Sequence, residues 1–147
     1  ICVEPLPDMF KLCKENRPNS ICVNKCISNV NTSLAFNVVG KDDYNMLSHI
    51  AGKDDDMANN IYVESMTFQE LLDENEAPSM MDFLSLDTEG CELEILESLD
   101  HTKYKFRFIS VEHNNIEPNR TNINKLLTDN GYKYAGANNW DDMYVYY

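Results

Sequence analysis

Long apolar runs are missing from this chain: none approaches the roughly 18 residues that a membrane-spanning helix needs. No secretory leader, basic and then apolar, is visible at its front. Positive charge is scarce as well. Lys and Arg number 12 against 25 Asp and Glu, for a net charge of −13, and they are scattered along the chain. A surface of that sign repels phosphate, so nucleic acid and anionic membranes are not expected as partners. The five cysteines, Cys2, Cys13, Cys22, Cys26 and Cys91, include no C-x-x-C pair of zinc-site type. Being odd in number and set in or beside apolar segments, they read as reduced core thiols, which points to a reducing, cytoplasmic compartment.

What is present suffices for one domain of 147 residues with a real core, at 43% hydrophobic content. A short strand ends at Val3, and Pro7 and Asp8 suit the first turn of a helix whose apolar positions are Met9, Leu12 and Cys13. Residues 20–27 read as one buried strand, and 33–39 as another with Leu34, Phe36 and Val38 on one face. Residues 40–60 are polar and read as a surface excursion with a helical turn near 46–50. Its Asp54-Asp55-Asp56 run is a solvated loop on this reading, because the longer alternating ligand pattern of a calcium loop is absent.

After a strand at 61–63, Thr67-Phe-Gln-Glu70 forms a capping box, so a helix is expected from Phe68 to about Asn75. Residues 81–86 alternate little, as a central strand covered on both faces would. A helix at 91–99, a buried strand at 106–111, a helix capped by Thr121 and closed by Gly131, and two antiparallel strands at 132–135 and 143–147 complete the chain. Alternating strands and helices imply an α/β domain with a mostly parallel sheet and helices on both faces.

In such a sheet, ligands bind beyond the carboxyl ends of the strands. Three strand ends carry acids there: Glu4, then Asp87 with Glu89, then Glu112 beside His113. An acid placed like Glu4 accepts hydrogen bonds from both ribose hydroxyls of an adenosine, although a solvated turn residue would look the same. Two carboxylates crowded at a buried strand end need a cation, a ligand amine or a shared proton. Gly90 allows a close backbone approach there. A histidine side chain can serve as a general base for a hydroxyl, so His113 is the expected base, oriented by Glu112 or a neighbouring acid.

The run Met81-Asp-Phe-Leu-Ser-Leu-Asp87-Thr-Glu89-Gly-Cys-Glu92-Leu-Glu-Ile-Leu96 resembles the signature of the FkbM family of methyltransferases. The opening Cys2-Val-Glu4-Pro-Leu-Pro7, the later Ile109-Ser-Val-Glu112-His113-Asn114 and the closing Trp140-Asp-Asp-Met-Tyr-Val145 follow in the family's order. The resemblance implies a Rossmann-like class I fold, S-adenosylmethionine as cofactor, and O-methylation of a small-molecule or glycan hydroxyl of sugar or natural-product type. It implies further that Glu4 holds the ribose, Ser28 and Asn29 line the adenine, and Asp87 faces the methionine part. Glu89, Glu112 and His113 would line the acceptor pocket.

None of the five glycines can serve as the family's glycine-rich loop. The expectation is therefore that this loop and the first strand precede Ile1, with that strand lying between those ending at Glu4 and Asp87. No obligatory metal is expected. The rival readings are a catalytically silent domain kept for partner binding and, less favoured by the central acidic run, a nucleotide-dependent oxidoreductase.

Overall fold

A computed structural model describes residues 1–39 and 48–147, which form two compact units, Ile1–Thr67 and Phe68–Tyr147. In the first unit, strand β1 (Cys2–Val3) leads into helix α1 (Pro7–Asn16). Pro7 stands at the start of that helix and Asp8 in its first turn, as the sequence suggests. Four short strands follow, β2 (Cys22–Val23), β3 (Cys26–Ile27), β4 (Ser33–Asn37) and β5 (His49–Ile50), and then the longer β6 (Asn60–Met66).

The single strand expected at 20–27 is two strands with different partners: β2 pairs with β1 and β3 pairs with β6, both in parallel. Asn24 lies at the break, and its side-chain amide donates to the carbonyls of Glu4 and Pro5. These bonds hold the chain at the end of β1, while the apolar Cys26 turns into a core with Leu6, Phe36 and Val63. Phe36 and Val38 pack in this core as their spacing predicts.

The helical turn expected near 46–50 falls partly on residues 40–47, outside the described residues. His49 and Ile50 themselves are strand, antiparallel to β4. His49 is thus not a loop residue, and its Nε2 lies 3.1 Å from Asp55 Oδ2. That carboxylate also accepts from the Gly52 N–H, which lowers its pKa, and Asp56 caps the 3-10 turn Met57–Asn59 by accepting from the Ala58 N–H. Two of the three aspartates therefore brace the loop rather than only facing water.

The second unit runs α2 (Phe68–Glu74), β7 (Met80–Leu86), α3 (Glu92–Glu97), β8 (Lys105–Glu112), α4 (Asn119–Asp129), β9 (Lys133–Asn138) and β10 (Asp141–Val145). Its sheet has the order β7-β8-β10-β9. Only β7 and β8 are parallel; β10 runs antiparallel to both neighbours. The first unit adds a two-stranded parallel sheet and a mixed sheet of order β3-β6-β4-β5. The α/β content is as expected, but a mostly parallel sheet is corrected to several mixed ones. The terminal antiparallel pair β9–β10 is present as expected, while the antiparallel pairing of β4 with β5 and β6 is one that strand-helix alternation does not reveal.

The cover expected on both faces of β7 is not seen among the described residues, where β8 is its one strand neighbour and Phe83 is 56% exposed. Its register with β8 sets Leu84 against Ile109 and Leu86 against Val111 on a well-covered face, with Phe83 stacked on Phe108 on the other. Helix α4 begins before Thr121. Glu117 accepts from both the N–H and the hydroxyl of Thr121, so the acid four residues upstream supplies the cap. Gly131 does take a positive φ of 90°, as its position past the helix requires. All five cysteines are free thiols, but only Cys26 is buried, so most are not core residues. No helix among the described residues is long and apolar enough to cross a membrane.

His101, just beyond α3, is buried with Nε2 against the Leu96 carbonyl at 2.8 Å. Its Nδ1 has no hydrogen-bond partner among the described residues. Burial lowers its pKa below 6.5, so the folded state prefers the neutral ring. The unfolded chain then binds more protons just below pH 6.5, and this contribution to stability, full above that pH, fades as pH falls toward the folded value. From pH 7.5 to 5.5 the melting temperature of the wild type should fall relative to that of His101→Gln, a comparison in which the opposite trend of Glu112 cancels. An equal slope in the variant would show that another group titrates.

Candidate functional site

The last matched pair of the parallel ladder is Leu86 with Val111, so the next residues, Asp87 and Glu112, stand side by side at two carboxyl ends. Oxygens of Asp87, Glu89 and Glu112 all lie within 4.8 Å of one another, close enough for one cation or one ligand ammonium to touch all three. Two carboxyls this close repel each other when both are ionised, so the pair favours a proton on one of them. Desolvation, then the charge of Asp87, pushes the Glu112 carboxyl up to about 7. Asp87 is raised chiefly by desolvation and further by Glu92 and Asp141; its exposure to water softens that effect. This is a site short of positive charge.

Two turns carry these acids. In the first, Glu89 and Gly90 both have positive φ, 57° and 116°. A Cβ at Gly90 would meet nothing within 4 Å, so the backbone conformation rather than a close approach calls for glycine. In the second, Asn114 donates to Glu112 Oε2 at 2.8 Å and, like Asn115, takes a left-handed conformation that asparagine tolerates.

His113 is placed at the end of β8 as expected, but its side chain is only 1% exposed. Its Nδ1 accepts from the Asn115 N–H at 2.9 Å, which occupies the lone pair of that nitrogen and puts the neutral ring's proton on Nε2. Nε2 lies 3.6 Å from Asp142 Oδ1. Asp142, also buried, accepts two bonds of 2.8 Å from Arg120, and Arg120 donates on to Asn115 Oδ1. Tyr134 adds a hydroxyl bond to the same carboxylate. The bonds of Asn115 to His113, and of Arg120 to Asn115 and Asp142, fix the turn behind Glu112, while the buried His113 Nε2 has no hydrogen-bond partner among the described residues. An open pocket of about 280 Å³ lies beside it, lined by Arg120, Asp142, Tyr134, Glu117, Thr121 and Asn124.

The predicted residues of the first unit are Glu4, Ser28 and Asn29. Glu4 is half-buried at the end of β1; its Oε1 accepts from the Leu6 N–H at 2.9 Å, and desolvation raises its pKa. Ser28 is buried, donating its N–H to Met66 and its hydroxyl to Asn29 Oδ1, and Asn29 is exposed. Asp87, Glu89, Glu112 and His113 are brought together in the second unit.

Sequence reasoning passed over Asp142 and Arg120. Asp142 had a signal: in a terminal strand pair antiparallel to β8, the residues after Trp140 must return to the strand end bearing Glu112. Arg120 had none, since nothing local marks which basic residue of α4 turns inward.

The methyltransferase FkbM domain model matches residues 1–134, running through both units and every predicted site residue. No curated protein and no solved structure matches the chain. The strand-end acids described above lie within that match, and the chain belongs to the FkbM methyltransferase domain family.

Proposed function

We propose that this chain belongs to an S-adenosylmethionine-dependent O-methyltransferase acting on a hydroxyl of a sugar or natural-product-type acceptor. The observation that carries this reading is the crowding of Asp87, Glu89 and Glu112 at adjacent strand ends, with oxygens of all three within 4.8 Å of one another. Such a cluster favours a positively charged ligand over a neutral or anionic one. S-adenosylmethionine supplies a methyl group on a sulfonium, together with an ammonium. Three carboxylates fit the positive charge of that molecule.

On this reading Glu4 receives the ribose hydroxyls, Ser28 and Asn29 flank the adenine, and Asp87 holds the methionine ammonium. Glu89 binds the acceptor. Glu112 would take the hydroxyl proton as the acceptor oxygen bonds to the methyl carbon and the carbon–sulfur bond breaks, the electron pair staying on sulfur in S-adenosylhomocysteine. Its raised pKa suits proton transfer near neutrality. His113 was the expected base, but with Nδ1 engaged by Asn115 we assign it the holding of the turn. His113→Ala should then lower the melting temperature and raise the acceptor KM, with turnover at saturation within about tenfold of wild type. A loss of about 10²–10⁴-fold in turnover, with Glu112→Gln harmless, would return the base role to His113.

Metal is not needed for this chemistry. Exhaustive chelation should leave transfer unchanged; abolition by chelator and recovery with magnesium would contradict the assignment. The proposal itself is tested by following a labelled methyl group from S-adenosylmethionine into hydroxyl acceptors. A silent partner-binding domain would transfer none.

A further inference from the structure

Glu92 opens α3, yet its side chain is turned away from water and the residue is only 6% exposed. Its Oε1 accepts three hydrogen bonds: from the Thr88 N–H at 2.8 Å, the Thr88 hydroxyl at 2.9 Å and the Gly90 N–H at 3.1 Å. All three donors belong to the turn that carries Asp87 and Glu89. That turn contains two successive residues of positive φ, a shape the backbone does not hold unaided. An ionised acceptor binds backbone N–H groups more strongly than a neutral one, so the carboxylate clamps the turn from below. It does so at a cost, since Glu92 adds negative charge beside Asp87 and Glu112.

We propose that Glu92 is the positioning residue of the Asp87–Gly90 turn, tethering it so that Asp87 faces a bound cofactor and Glu89 the acceptor. The inference rests on the function proposed above for those two acids. Glu92 does not touch substrate; it acts through the turn.

Two measurements on the full-length protein test it, amide hydrogen exchange and calorimetric titration with S-adenosylmethionine. In Glu92→Ala, the Thr88 and Gly90 amides should exchange at least ~10-fold faster and affinity should fall by at least ~10-fold, the scale of a lost charge-assisted bond. Amides within β8 should keep their protection. Glu92→Gln presents an oxygen to the same three donors and should recover both readouts to within about threefold of wild type. Thr88→Val removes one donor and should show a smaller loss, which keeps the test informative if Glu92→Ala does not fold.

Unchanged exchange at Thr88 and Gly90 in Glu92→Ala would overturn the tether. So would normal affinity with both amides freed, or a glutamine variant as defective as the alanine one. A wild-type protein that binds no S-adenosylmethionine would instead contradict the cofactor reading, and the exchange arm, which needs no ligand, tells the two failures apart.

Discussion

Glu112→Gln should cut turnover by roughly 10²–10⁴-fold, the range associated with loss of a positioned general base. The glutamine keeps the size of the side chain and cannot take a proton from the acceptor. Cofactor affinity should change far less than turnover. In the wild type only the deprotonated form is active, so turnover should rise with pH through about 7, the value to which desolvation and Asp87 push this carboxyl. Stability should move the other way. A carboxyl whose folded pKa is raised above its ordinary 4.5 favours the folded state while protonated, and that advantage is lost as pH climbs through 7. Glu112→Gln should therefore raise the melting temperature at pH 8 while abolishing activity. A variant that is both inactive and less stable at pH 8 would mean that the residue supports the fold and that the crowding account is wrong.

The second large effect concerns Glu4. Glu4→Ala should weaken S-adenosylmethionine binding by about 1.5–3 kcal/mol, the scale of hydrogen bonds made by a charged group, or about 10–150-fold in Kd. The Leu6 N–H bond that the carboxylate makes at the start of α1 is also lost, so a modest fall in melting temperature should accompany it. Glu4→Gln separates the two, since its amide oxygen can still accept from Leu6 while the negative charge at the ribose is gone. Calorimetry showing wild-type affinity for both variants would remove Glu4 from the site.

Much of this was legible in the sequence because the signals were local. The apolar run before Asp87 placed β7, Pro7 placed the start of α1, and Gly131 marked the chain beyond α4, each through a constraint within a few residues. The acids at the ends of β7 and β8 were found for the same reason. What failed to show was tertiary. Residues 20–27 carry only Asn24 and Lys25 as an interior polar pair, and it takes the bonds of Asn24 to Glu4 and Pro5 to show that the chain changes partners there. Phe83 and Ser85 are exposed on one face of β7 while Leu86 is buried on the other, a difference that its apolar composition does not show. His113 drew attention by residue type, whereas its engagement by Asn115 and Asp142 depends on two left-handed asparagines and on a strand about thirty residues downstream.

The most direct measurement of the central claim is titration of the full-length protein with S-adenosylmethionine in buffers of different ionisation enthalpy. A cationic ligand meeting the Asp87–Glu112 pair should displace the proton that one of them holds. Saturable binding is therefore predicted, tighter at pH 8 than at pH 6, with a heat at neutral pH that varies with the buffer because protons are released. Binding that releases no proton and is indifferent to pH, or no binding at all, would contradict the account.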